Sequence, residues 1–232
     1  CEAVHDRAQI EIMRGCVRGC RFCQAGMVTR PQREKDAHAV VREALEVIAA
    51  SGYEDLTLAS LSASDCSTLP AVLRALLDNA AQPTLQTAVS LPSLRVDSFS
   101  AEIAELIRRV RKTGFTFAPE AATERLRRVI NKTLTHDDVL ATIRTAYAAG
   151  WRRVKVYFMI GLPTETHDDV RAIPALIKDM LDATRGRIGL TASVATFVPK
   201  AFTPFQWVGY ADQDDLLAKR DLILHDTPRR VK

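Results

Sequence analysis

Short β-type runs alternate with longer amphipathic helical runs along most of this 232-residue chain, and that alternation limits the fold more than any other feature. The β-type runs fall at residues 9–15, 55–59, 84–90, 115–118, 153–160 and 188–197. Helical patterns occupy 37–50, 69–79, 101–111, 123–130, 137–149 and 168–184. In the segment 37–50, Val40, Val41, Ala44, Leu45 and Ile48 share one face at helical spacing. Gly52 and Gly150 stand where helices need a left-handed residue to stop, and Gly114 releases the chain into the fourth strand. Thr135 and Thr166 are predicted N-caps, and Asp168 and Asp169 complement the positive end of the helix that follows. Strands joined through helices run parallel with right-handed crossovers. The expected class is therefore α/β with a parallel sheet, and in parallel barrels chemistry sits in the loops after the strands.

With 47% hydrophobic and 26% charged residues the chain can bury a sizeable core. Its formal net charge of +4 is spread along the chain, which permits an RNA or nucleotide partner without requiring one. No apolar run approaches the roughly 18 residues of a membrane span, and no signal peptide is visible. The chain opens on Cys1 rather than Met, which reads as a piece of a longer protein. Residues 1–198 are expected to form one barrel including the cysteine loop. Residues 199–232, with Pro199, Pro204, Phe202, Phe205 and Trp207, read as an extension towards a further domain.

Three of the five cysteines lie within eight residues, in Arg14-Gly15-Cys16-Val17-Arg18-Gly19-Cys20-Arg21-Phe22-Cys23. An odd count with one tight cluster argues against a disulfide framework and for a metal in a reducing compartment, the cytoplasm by default. Thiolates favour iron–sulfur clusters, zinc or copper(I). Structural zinc takes four ligands, commonly from two separated knuckles, and no second knuckle is present. A zinc loop would have to borrow His5, His38 or Cys66. Three thiolates on a cubane leave one iron open to something else. Gly15 and Gly19 allow the backbone to wrap closely, and Arg14, Arg18 and Arg21 offset the negative charge.

This C-x3-C-x2-C loop after a first barrel strand, with Phe22 before its last cysteine, resembles the signature of the radical S-adenosylmethionine (SAM) superfamily. The resemblance implies a partial (β/α)6 TIM-like barrel. It also implies a [4Fe-4S] cluster held by Cys16, Cys20 and Cys23, with SAM on the fourth iron. Phe117-Ala118-Pro119-Glu120-Ala121-Ala122, with Leu126 and Asn131-Lys132, resembles the fourth-strand motif of a subgroup that includes tRNA methylthiotransferases, which sets Glu120 near the SAM ribose or methionine. Met159-Ile160-Gly161-Leu162-Pro163-Thr164-Glu165-Thr166 resembles the fifth-strand motif along the adenine, so Ile160 and Gly161 become cofactor residues. Ser60-Leu61-Ser62 occupies the place of a Gly-Gly-Glu motif and lacks its glycines and glutamate; Ser62 is the candidate there.

The activity so implied is reductive cleavage of SAM to methionine and a 5′-deoxyadenosyl radical, with an external electron donor such as flavodoxin or ferredoxin, for methyl or methylthio transfer to RNA or protein. The competing reading is a non-catalytic iron–sulfur or zinc module. A closer likeness is to uncharacterised bacterial proteins that fuse this barrel to an N-terminal cobalamin-binding-like domain and a C-terminal domain. It is carried by Cys23-Gln24-Ala25-Gly26, Arg30-Pro31, Ser90-Leu91-Pro92-Ser93-Leu94-Arg95 and Thr203-Pro204-Phe205-Gln206-Trp207. Arg95 and Lys155 complete the candidate anion-contacting set, although Lys155 could equally lie along the outside of the sheet.

Overall fold

The structure is a computed structural model, and it describes residues 7–80, 88–90, 105–106 and 115–232. In chain order its elements are β1 (Ala8–Glu11), β2 (Met13–Arg14), α1 (Gln24–Val28), β3 (Arg33–Glu34), α2 (Ala37–Ser51), β4 (Asp55–Ala59), α3 (Leu69–Ala80), β5 (Ala88–Ser90), β6 (Phe115–Glu120), α4 (Glu124–Val129), α5 (His136–Ala148), β7 (Arg153–Ile160), α6 (His167–Asp182), β8 (Gly189–Thr196) and α7 (Gln213–Asp226). The predicted alternation is present as two three-stranded parallel sheets, ordered β1-β4-β5 and β6-β7-β8. Most of the predicted third helix, and Cys1, His5 and Arg95, lie outside the described residues.

The chain divides into two compact units, residues 1–17 with 29–113, and residues 18–28 with 114–232. In the first, Val40, Ala44 and Ile48 line the buried stripe of α2, which packs against β1 and α3. Asp36 caps that helix through the Ala39 amide, and Gly52 ends it at φ 73°. The predicted first strand is shorter than its apolar run. It breaks after Glu11, and Met13–Arg14 pair with Arg33–Glu34 as an antiparallel two-stranded ladder.

In the second unit β7 buries Val154, Val156, Phe158 and Ile160 on one face. Side chains alternate along a strand, so Lys155, Tyr157 and Met159 share the other face, in register with Thr191, Ser193 and Ala195 of β8. Both threonine caps form capping boxes, Thr135 with Asp138 and Thr166 with Asp169. The helix α7 had no sequence expectation. Of its apolar residues, Leu216 and Ile223 share the buried face with charged Lys219 between them, so no continuous apolar stripe announces the helix. It packs on α6, and buried Lys219 forms ion pairs with Asp215 at 2.7 Å and Glu165 at 2.9 Å. Among the described residues no helix is long and apolar enough to cross a membrane.

Candidate cluster and cofactor site

The cysteine loop begins on Gly15, which is buried at φ 85°. A Cβ there would fall 2.7 Å from the Pro31 carbonyl oxygen, 2.8 Å from that of Thr29 and 2.9 Å from the Gln32 Cα. Real side chains do not occupy such space, so the returning segment 29–32 requires glycine before Cys16. In the same unit a cavity of about 510 Å³ opens at the C-terminal ends of β1 and β4, lined by Glu11, Arg14, Gly15, Thr29, Ser60 and Leu61. Arg14 and Glu11 pair at 2.6 Å, and this bond holds the Glu11 carboxyl below the usual carboxylate range. Ser62 is buried beside this segment, and its hydroxyl donates to Asp65 at 2.7 Å. A free side-chain contact from Ser62 to a ligand is thereby replaced by a local turn.

Cys20 and Cys23 belong to the second unit, where the loop is fastened to the end of α4. The Arg21 amide donates to the Ile130 carbonyl at 3.0 Å, and its guanidinium donates to the carbonyls of Val129 at 2.5 Å and Arg128 at 3.3 Å. Arg21 thus satisfies helix-end acceptors. Cys23 precedes α1 as its cap: its Sγ accepts the Gly26 amide at 3.3 Å, and its own amide donates to the Cys20 carbonyl at 3.1 Å. Amide donors to a cysteine sulfur tune a bound cluster. Phe22 packs against a core of Ala121, Leu126, Ile130, Leu162, Phe197 and Phe205. One aromatic residue therefore ties the cysteine loop to the segments that follow β6, β7 and β8. Phe197 and Phe205 meet edge to face at 5.8 Å, so Phe205 is core, while Phe202 and Trp207 are exposed.

Glu120 ends β6 at φ 68°, a left-handed conformation that costs a non-glycine residue energy. The β6–β7 register shifts by one residue between Phe117 and Glu120, a bulge beside Pro119, which cannot donate to the ladder. The Glu120 carboxylate pairs with buried Lys132 at 3.3 Å. Glu124, not Glu120, supplies the acidic first turn of α4. Fully buried Arg127 spans the same segment: its Nε donates to the Leu134 carbonyl at 2.7 Å and its Nη1 to those of Ala121 and Ala122 at 3.1 and 3.0 Å.

After β7 the chain turns at Gly161, φ 77°, whose amide donates to the Glu165 carboxylate at 2.8 Å. Thr164 is also left-handed, and Arg125 holds it through its carbonyl at 2.9 Å. Arg125 and Thr123 both donate to Asp169, which is 3% exposed and also caps α6 with Thr166. Lys155 is exposed and lies over the Tyr157 ring at 4.7 Å, on the face of β7 opposite its buried one. The structure thus gathers Phe22, Glu120 and Gly161 at one end of the second unit. Lys155 sits lower on its strand, and Ser62 in the first unit.

Arg125, Arg127 and Lys219 have no sequence expectation, and Asp169 is expected only to complement the start of its helix. In sequence each looks like an ordinary solvated charge, and only its burial or long-range partner shows otherwise. Burial pushes the Asp169 carboxyl up, but bonds from Thr123, Arg125 and Thr166 outweigh it and hold it below the usual carboxylate range. An unfolded Asp titrates near about 3.9. This stabilisation is complete above that value and is lost as pH falls through the depressed folded one. Asp169→Asn is expected to lack that part of the acid-induced drop in melting temperature seen between about pH 5 and 2. Lys219→Met leaves Glu165 buried without its cation and is expected to cost about 3 kcal/mol in urea unfolding.

Parallel β/α units with three free thiols in the loop after the first strand define an α/β protein whose cysteine loop suits a metal cluster. The radical SAM superfamily model matches residues 10–177, and the chain belongs to that superfamily. An uncharacterized protein of Methanocaldococcus jannaschii is 30% identical over 213 residues, which cover 92% of this chain and 44% of that protein. The chain therefore spans less than half of that relative. Among solved structures, TsrM from Kitasatospora setae, a radical SAM methyltransferase seen with cobalamin and a [4Fe-4S] cluster, aligns with TM-score 0.71 at 20% identity over 86% of this chain and 38% of its own. Coproporphyrinogen III oxidase of Escherichia coli aligns with TM-score 0.62 at 12% identity over 95% and 50%. The fold is the partial TIM-like barrel of the radical SAM type. Its cofactors are a [4Fe-4S] cluster and SAM.

The donor chemistry suits that cluster, because thiolates are the ligands it takes. Cys16, Cys20 and Cys23 are half-exposed thiols rather than disulfide partners, whereas Cys66 is buried with its Sγ 3.3 Å from the Thr68 hydroxyl. Among the described residues no group of three or more His, Cys, Asp or Glu is placed to hold a metal ion. A cubane takes each thiolate at a separate iron, so its ligands need not converge on one point.

Proposed function

We propose that Cys16, Cys20 and Cys23 ligate three irons of the [4Fe-4S] cluster and that this chain is the SAM-cleaving domain of a longer enzyme. The observation that carries the reading is the cysteine loop itself, three accessible thiols framed by left-handed Gly15 and Gly19. Held by those thiolates, the cluster would supply one-electron reduction of the SAM sulfonium, with the electron from an external donor such as flavodoxin or ferredoxin, to give methionine and a 5′-deoxyadenosyl radical. The chain's own residues bind, orient and shield. Phe22, half-buried against the core, keeps the loop against the strand ends. Glu120, held by Lys132 in a strained conformation, faces the ribose or methionine portion. Ile160 and Gly161 border the adenine, their turn braced by Glu165 and Lys219. Ser62 contributes main-chain rather than hydroxyl contacts, and Lys155 and Arg95 serve anionic groups of SAM or substrate. The net reaction we favour is methyl or methylthio transfer to RNA or protein. The fold it shares with TsrM, itself a radical SAM methyltransferase, supports the transfer reading.

The test is anaerobic. The protein is reconstituted with iron and sulfide, then given SAM and dithionite, and 5′-deoxyadenosine is measured. About four irons per chain and SAM-dependent formation of 5′-deoxyadenosine are expected. A protein that takes up zinc and no iron, or an iron-loaded one that leaves SAM intact, would overturn the proposal.

A further inference from the structure

Asn131 follows α4 and stands at φ 56°, the left-handed position that ends many helices. Asparagine is tolerated there, and glycine is better still. Capping alone therefore does not explain the side chain. Its amide nitrogen reaches back more than a hundred residues and donates to two successive carbonyls of the cysteine loop, Arg18 at 3.3 Å and Gly19 at 2.9 Å. The side-chain NH2 has two hydrogens, one for each acceptor. Gly19 is itself left-handed, φ 67°, so the backbone it serves has few intrinsic restraints. Peptide groups are planar and trans. Fixing those two carbonyls also fixes the directions of the Gly19 and Cys20 amides, on the opposite side of each peptide plane.

The rest of α4 makes the anchor rigid. Arg127 bonds both the chain before the helix and Leu134 beyond it, and Lys132, next to Asn131, carries Glu120. Arg21 and its amide hold the loop to the same helix end. We infer that Asn131 is a positioning residue for the cluster: it presets the Arg18–Cys20 backbone so that Cys20 meets its iron without reorganisation. This inference rests on the ligand assignment proposed above.

Two substitutions separate positioning from capping. Asn131→Gly keeps the left-handed cap and removes the amide. Asn131→Asp keeps the shape but turns an acceptor towards two carbonyls. Both are reconstituted beside wild type. Iron release to a chelator, the electron paramagnetic resonance signal of the reduced cluster with and without SAM, and thermal melting of the iron-free proteins are measured. Asn131→Gly is expected to melt within a few degrees of wild type yet release iron about tenfold faster, from the loss of two hydrogen bonds. Asn131→Asp is expected to release it faster still, and both are expected to show altered spectra. Wild-type release and spectra in both variants overturn the inference. So does an Asn131→Gly protein that fails to fold, because the side chain is then a fold residue. If wild type itself binds no cluster, the ligand assignment fails instead.

Discussion

Cys20→Ala is expected to bind no intact [4Fe-4S] cluster and to form 5′-deoxyadenosine at less than about one-thousandth of the wild-type rate, because the cofactor carries the chemistry and the chain only holds it. The same substitution should leave folding almost untouched. Cys20 is half-exposed in an irregular loop, and the loop's other ties, Arg21 to the end of α4 and Phe22 to the core, do not involve its sulfur. A change within about 1 kcal/mol in denaturant unfolding is the expected cost. Cys66→Ala gives the opposite pattern. Cys66 is buried with its sulfur against Thr68, so its loss should weaken packing by about 1 kcal/mol while iron content and SAM cleavage stay at wild-type levels. Equal loss of iron from both variants would mean that Cys66 is a ligand and that the three-cysteine assignment is wrong.

Gly15→Ala is the second large effect. The left-handed conformation costs a side-chain-bearing residue about 1–2 kcal/mol, and forcing a methyl group against packed atoms adds about as much again. Here the opposing atoms, the Pro31 and Thr29 oxygens and the Gln32 Cα, are all backbone, which cannot swing aside as a flexible side chain would. A loss of roughly 3 kcal/mol is expected in urea unfolding, together with reduced iron uptake because Cys16 is the next residue. Gly52→Ala is the control. It has a similar φ of 73°, but a methyl group there meets no atom within 4 Å, so only the backbone cost of about 1–2 kcal/mol remains. Similar losses at the two positions would show that the close approach of segment 29–32 is not the reason for glycine at 15.

Much of the scaffold was legible because it is written at short range. The Thr135 and Thr166 caps and the Gly52 stop depend on residues within one helical turn, and all three stand where they were expected. The six parallel strands were legible from apolar runs of the right length. The first strand was drawn too long because an apolar run does not reveal where pairing changes from β4 to β3. The helix α7 is not legible because charged Lys219 interrupts its buried face between Leu216 and Ile223. At the site, the strained Glu120 and the turn at Gly161 were found through motifs. The bulge that aims Glu120, and the Lys132 that holds it, were not read as such.

The sequence by itself determined the parallel α/β class, the superfamily, and the three thiols that suit an open iron–sulfur cluster. The class and the thiols follow from spacing, which covalent geometry carries directly into the loop and the strand pattern, and the superfamily follows from the resemblance of the motifs at 16–23, 117–132 and 159–166. Tertiary structure decided what those residues lean on. It packs Phe22 against the core under three strand ends, turns the Ser62 hydroxyl to Asp65, gathers Arg125 and Thr123 onto Asp169, and reaches Asn131 back to the cysteine loop. The reason is physical. A polar side chain acquires its role from the partner it meets and the water it loses, and both are set by packing between segments distant in the chain.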